Sequence, residues 1–187
     1  MPGDERGPLQ FSLFFFAASP DDTQGDLYRL LIESAKFADS HGFTAVWTPE
    51  RHFQKFGGLY PNPSLTSAAL STITSNIALR AGSVVVPLQN PLRVAEEWAV
   101  VDNLSKGRVG LSFASGWHAD DFVLAPQVYA NRREDMIAKI ALVKKLWRGD
   151  EVILPNGEGR EIPVRIQPRP IQPELDIWLT CQQDTSF

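Results

Sequence analysis

The feature that most constrains this chain is an alternation. Short apolar runs are separated by stretches whose apolar residues recur at helical spacing, from Phe11 to Thr180. Phe11 to Phe16 is almost continuously apolar, which predicts a strand buried on both faces of a parallel sheet. Asp21-Asp22-Thr23 offers caps for a helix to about Ser40, with Leu27, Leu30, Leu31, Ser34, Phe37 and Ala38 at helical spacing. Gly42 stands where a C-cap glycine belongs. A second strand, Thr44 to Thr48, precedes a small-residue helix from Pro63 to about Thr74, its proline suited to the first turn. Ile77 to Val86 is a long β-branched strand ending at Pro87. A helix from Pro91 to Leu104 puts Leu92, Ala95, Trp98 and Ala99 on one stripe, and Ser105-Lys106-Gly107-Arg108 turns into a fourth strand, Val109 to Ala114. Arg132 to Arg148 reads as a helix with Met136, Ile137, Ile140, Val143 and Trp147 inward, ended by Gly149. Glu151 to Ile166 predicts a β-hairpin turning at Pro155-Asn156-Gly157, and Asp176 to Thr180 a fifth strand.

Strands alternating with helices at this spacing build βαβ units, hence an α/β fold with a parallel sheet. Periodicity alone does not separate a TIM barrel from an open doubly wound sheet. Two details favour the barrel. No Gly-x-Gly-x-x-Gly follows the first strand, and small and polar residues gather after every strand, as they do when all βα-loops build one site.

The 187 residues suffice for one large domain, expected over 11–187, with a disordered polar segment at 1–10. The net charge of −4 leaves no electrostatic footprint for nucleic acid. Leu13 to Ala18, the longest apolar run, is too short to span a bilayer, and residues 1–10 lack the apolar stretch of a signal peptide. A lone Cys181 excludes an internal disulfide and fits a reducing compartment, so a cytoplasmic protein is expected. Three scattered histidines and one cysteine make no metal set, and no metal is expected.

Chemistry concentrates in Thr48-Pro49-Glu50-Arg51-His52-Phe53, where a strand stops abruptly and places a carboxylate, a guanidinium and an imidazole on one connection. On spacing alone the run reads equally as a solvated loop and as one wall of a binding site.

Four stretches in register resemble the flavin-dependent luciferase-like monooxygenases: Phe43 to Phe53, Arg80 to Pro87, Asn90 to Glu97 and Asp102 to Arg108. Phe113-Ala114-Ser115-Gly116-Trp117-His118 and Ile177-Trp178-Leu179-Thr180 resemble the branch associated with polyketide and non-ribosomal peptide biosynthesis. The resemblance implies a (β/α)₈ barrel whose C-terminal face holds reduced FMN from a separate reductase. It also implies a homodimer built on the second and third helices. The substrate it implies is a small-molecule intermediate, free or bound to a carrier protein, oxygenated with O₂.

By this resemblance His52 transfers protons while Glu50 and Arg51 orient it. Arg51 stands where the family often has a second histidine, and a guanidinium does not exchange protons near neutral pH. Gly82 and Ser83 are expected beneath the isoalloxazine ring, beside a non-proline cis peptide. Ser115, Gly116 and Trp117 are expected at the flavin, and Thr185 and Ser186 at its phosphate. Asp102, Ser105, Gly107 and Arg108 match the family too, but are read as structural.

Only five of eight barrel strands are present in this reading. The chain is therefore expected to be a partial TIM barrel, about the first five βα units, with a hairpin insertion after the fourth helix. Alone it is expected to bind FMN poorly and to be inactive. Two alternatives stand beside this: an F420-dependent oxidoreductase on the same barrel, and a non-catalytic flavin-binding or interaction fragment.

Overall fold

The computed structural model describes residues 9–16, 18 and 25–181. The cap candidates Asp21, Asp22 and Thr23, residues 1–8 of the expected disordered segment, and Thr185 and Ser186 lie outside these residues.

A parallel sheet of 5 strands organises the chain: β1 (Ser12–Phe14), β2 (Ala45–Thr48), β3 (Ala78–Val85), β4 (Val109–Ala114) and β7 (Ile177–Leu179) lie side by side in that order. The α/β reading with a parallel sheet thus holds. Between the strands run α1 (Arg29–Ser40), α2 (Pro63–Ser71), α3 (Pro91–Ser105) and α4 (Arg132–Arg148). Local chemistry sets several ends. Asn62 accepts from the backbone N–H of Ser64 at 2.8 Å and Asn90 from that of Leu92 at 2.9 Å, each followed by a proline at the first helical position. Gly149, at φ 92°, ends α4 in the left-handed conformation that glycine adopts without strain. The antiparallel strands β5 (Val152–Pro155) and β6 (Glu161–Val164) follow α4.

Residues on a strand alternate between faces, and the two faces differ sharply here. Val46 and Leu79 pack with Leu31, Ala35 and Ala38 of α1. Ala81, Leu111 and Phe113 pack with Trp98, Val143, Leu146 and Trp147 of α3 and α4. Removing Leu111 or Phe113 from water stabilises the fold by about 1.5–3 kcal/mol each. The opposite face carries Trp47, Arg80, Gly110, Ser112 and Trp178, with Trp47 paired to Arg80 and Arg80 to Gly110 in register.

Several expectations need correction. The first strand is not buried on both faces: Phe11 is 63% and Phe14 59% exposed. Strand β1 is an edge, and Phe14 points to the face the helices do not cover. Helix α1 starts at Arg29, since Tyr28 provides no side-chain cap and turns the chain only there. Helix α2 stops at Ser71, and Thr74 instead bonds back to the Leu70 carbonyl at 2.7 Å. Ile137 of α4 points outward at 62% exposure, because Met136, Val143, Leu146 and Trp147 already fill the side facing the sheet. The hairpin turns at Asn156 to Arg160, closed by the Asn156 N–H donating to the Arg160 carbonyl, with Gly159 rather than Gly157 at positive φ. Asn156 accepts from the N–H groups of Glu158 and Arg160, which widens the turn past two residues.

Candidate functional site

The loop after β2 folds back on the sheet's C-terminal rim instead of entering solvent. Glu50 is the reason. Its Oε2 accepts from the Val85 N–H at 2.8 Å, while Oε1 accepts from the Gln89 amide and, at 2.9 Å, from His52 Nε2. The carboxylate is enclosed, with 0% of its side chain exposed. An ionised carboxylate only accepts, so His52 Nε2 carries a hydrogen and Nδ1 is the nitrogen left for proton exchange. That Nδ1 makes no hydrogen bond to any described residue. The same contact orients the imidazole and fastens the loop to β3.

Arg51 takes a different path. Its Nη1 donates to Asp121 Oδ2 at 3.3 Å, its guanidinium carbon lies 4.7 Å from the Trp117 ring centroid, and its backbone N–H donates to the Tyr60 carbonyl. Both ion-pair partners are 7% exposed, and Arg51 Nε and Asp121 Oδ1 are buried without a hydrogen-bond partner among the described residues. The pair joins the β2 loop to the loop after β4. His52, Arg51, Phe53 and Pro61 border an outer cavity of about 400 Å³.

A second cluster lies on the uncovered face of the sheet. The peptide between Gly82 and Ser83 is cis, and the β3–β4 register shifts at that point. Ser83 Oγ meets Thr180 Oγ1 at 2.5 Å, and Thr180 Oγ1 meets Ser112 Oγ at 2.7 Å. A Cβ on Gly82 would lie 2.8 Å from Phe14 and 3.2 Å from Trp47, so a side chain there would push the Phe14 ring aside. Gly116, at φ 81°, turns the chain after β4, and its carbonyl accepts from Arg132 Nε at 3.1 Å. Trp117 is 62% exposed, and Ser115 is half-buried with no hydrogen bond among the described residues.

Of the residues singled out in the sequence, Glu50, Arg51, His52 and Trp117 thus come together in one group, and Gly82 and Ser83 in its neighbour along β3. Ser115 and Gly116 follow the adjacent strand end, while Thr185 and Ser186 fall outside the described residues. Sequence reasoning missed Gln89, Ser112, Asp121 and Thr180. Ser112 had a signal, since alternation from Gly110 puts it on the same face. Asp121 had none, because its partner stands 70 positions away.

Asp102 Oδ2 accepts from the N–H groups of Ile171 and Gln172 at 2.6 and 2.9 Å. Arg108 donates to the carbonyls of Ser105, Ile77 and Thr74. Both knit turns at the strands' amino ends. Among the described residues, no group of His, Cys, Asp and Glu is placed to hold a metal ion.

A parallel sheet with hydrophobic helices on one face, and its hydroxyls and ionisable groups at the strands' carboxyl ends, defines an α/β protein with a rim-built site. The particular family follows from comparison: this chain belongs to the luciferase-like monooxygenases, whose family model matches residues 9–186. The oxygenase component of the flavin-dependent trigonelline monooxygenase of Acinetobacter baylyi is 33% identical over 184 residues, covering 95% of this chain and 50% of that protein. Among solved structures, the monooxygenase RslO1 from Streptomyces bottropensis superimposes with a TM-score of 0.82 at 26% identity, over 91% of this chain and 53% of that one. The FMN complex of the oxygenating constituent of 3,6-diketocamphane monooxygenase from Pseudomonas putida shares the fold at a TM-score of 0.77, with 19% identity, over 91% of this chain and 51% of that one. The chain spans about half the length of these relatives. No helix among the described residues is long and apolar enough to cross a membrane.

Proposed function

We propose that this chain is the first part of a (β/α)₈ barrel oxygenase that uses reduced FMN and O₂ on a small-molecule intermediate, free or carrier-bound, of secondary metabolism. The observation that carries this reading is the buried Glu50 carboxylate, which ties His52 to β3 beside the Ser83 hydroxyl chain. The donor set fits a flavin: Ser83, Ser112 and Thr180 offer neutral hydroxyls on an open face, and the nearby acidic group, Glu50, is fully engaged. Bound reduced flavin supplies the two electrons with which one oxygen atom enters the substrate and the other leaves as water.

In this reading Ser83 and Gly82 lie against the flavin ring, and Ser115, Gly116 and Trp117 border it. Thr185 and Ser186, outside the described residues, are the proposed donors to its phosphate. His52 holds or gives up a proton at Nδ1 while Glu50 fixes its ring. Arg51, clamped by Asp121 and capped by Trp117, forms a wall that excludes water rather than a proton carrier. A separate reductase delivers the flavin, as the trigonelline relative's description as an oxygenase component suggests. The exposed thiol Cys181 fits a reducing cytoplasm. The incomplete barrel is inferred from the half-length match to relatives and from the uncovered sheet face.

The test is titration of the 187-residue chain with oxidised and reduced FMN, beside the complete reading frame that encodes it. The complete product is expected to bind FMN and to consume oxygen with a reductase; the 187-residue chain is expected to do neither. Micromolar binding with turnover by the chain alone overturns the incomplete-barrel reading. Hydride transfer with F420 and no oxygen uptake with reduced FMN overturns the monooxygenase reading.

A further inference from the structure

One oxygen of the Glu50 carboxylate serves two side chains. Oε2 accepts from the Val85 N–H at 2.8 Å. Oε1 accepts from His52 Nε2 at 2.9 Å and also from the side-chain amide of Gln89. The chain's own residues already enclose Glu50 completely, whereas His52 keeps 11% of its side chain exposed. Shielded from water, the carboxylate's charge is felt in full by the groups that touch it, and His52 is the titratable one bonded to it.

The turn that carries Gln89 is built by other groups. The Gln89 backbone N–H donates to the Val86 carbonyl at 3.0 Å, closing the turn Val86–Leu88, and the next residue, Asn90, caps α3. Lys139 of α4 fixes the same turn by donating to the Pro87 carbonyl at 2.9 Å. The Gln89 side chain is therefore left to reach back to Glu50, 39 positions earlier. Charges on the neighbouring elements are engaged elsewhere. In the segment Ala119–Leu124, Asp121 pairs with Arg51, and Asp120 lies 3.8 Å from His118. Lys139 pairs with Asp135 on α4 at 3.0 Å, and Arg93 with Glu97 on α3 at 3.3 Å. Lys55, on the same loop as His52, borders the outer cavity with it. All of these stay in place when Gln89 alone is replaced.

We propose that Gln89 is a positioning residue for His52 that acts through Glu50: by donating to the oxygen that His52 also bonds, it takes up part of the carboxylate's charge and leaves the imidazole able to give up and regain a proton at Nδ1 near neutral pH. This deepens the oxygenase reading above and rests on it for the use to which that proton is put. A hydrogen bond from a neutral donor stabilises a carboxylate without adding charge. Two donors on one oxygen compete for it. Removing the amide therefore strengthens the hold of Glu50 on its imidazole partner, and the pair keeps its extra proton to higher pH.

The test is a pH titration by NMR of the complete reading frame's product, free of flavin and carrying isotope-labelled histidine, with the His52 signals identified by their loss in His52→Gln. The neutral His52 ring is expected as the Nε2–H tautomer. Gln89→Met, close in shape but without the donor, is expected to raise the midpoint of the His52 titration by about half a pH unit or more and to leave His41 and His118 unmoved. Gln89→Leu is expected to do the same, and replaces it if Gln89→Met loses native circular dichroism. In a Glu50→Gln background the effect of Gln89→Met is expected to fall below about half its size in the native background. An Nδ1–H tautomer, a midpoint unmoved or lowered in the folded variants, a shift shared by His41 and His118, or an undiminished effect in Glu50→Gln overturns the proposal. Neither flavin nor turnover enters the titration, so this inference and the monooxygenase reading fail separately.

Discussion

His52 and Arg51 are neighbours in sequence with opposite chemistry. The imidazole keeps one nitrogen outside its contact with Glu50, whereas the guanidinium is committed to Asp121 and Trp117. A proton-transfer role predicts that His52→Ala in the flavin-loaded oxygenase lowers kcat about 10²-fold while flavin affinity changes little. Rapid-mixing kinetics set beside a flavin titration decide it, and a loss of affinity without a loss of rate refutes the role. The sequence showed that three ionisable groups share one loop. It did not show which of them is spoken for, because Val85, Gln89 and Asp121 reach them only through the fold.

Connections between elements depend on backbone donors that no periodicity reveals. Asp39, near the end of α1, accepts from the N–H groups of Asn76 and Ile77 at 2.7 and 2.8 Å and from that of Ser75 at 3.0 Å, just before β3. Burial raises the Asp39 pKa, but the N–H groups of Ile77, Asn76 and Ser75, together with Arg108, outweigh it and hold the carboxyl below its ordinary 3.8. A depressed folded pKa gives stability that is full above the unfolded value and fades as pH falls through the folded one. Asp39→Asn should therefore cost about 1 kcal/mol at neutral pH, and the gap to the native chain should close below pH 4. Urea unfolding at pH 7 and pH 3 checks this; an equal gap at both refutes it. Strand β4 and helices α3 and α4 were legible almost to the residue, since long apolar periods and asparagine or glycine caps are local signals. The start of α1 and the hairpin turn were not, because Tyr28 and Gly159 carry no cue that outweighs the richer capping and Asn-Gly signals nearby.

At the scale of the whole molecule, the sheet has helices on one face and ends at β1 and β7. Between α4 and β7 lies an apolar groove of about 530 Å³, with Ile137, Ile140, Ile177 and Leu179 on its walls. Uncovered apolar surface of this kind, next to open strand edges, favours association. The chain is expected to self-associate as its concentration rises, and Ile137→Lys to reduce this without lowering the melting temperature by more than about 2 °C. Sedimentation velocity over a concentration series measures it; unchanged association of the variant rules out that groove as the contact.

The sequence by itself determined the α/β class, the succession of strands and helices along the chain and the loop that carries Glu50, Arg51 and His52. Each of these follows from apolar periodicity and turn chemistry over a few neighbouring residues. Only the tertiary structure decided that Glu50 hangs from Val85, that Arg51 answers to Asp121, and that Arg80 lies against the indoles of Trp47 and Trp178. Those pairings join residues tens of positions apart through the sheet's register, and a register is a property of packed strands, not of any one of them.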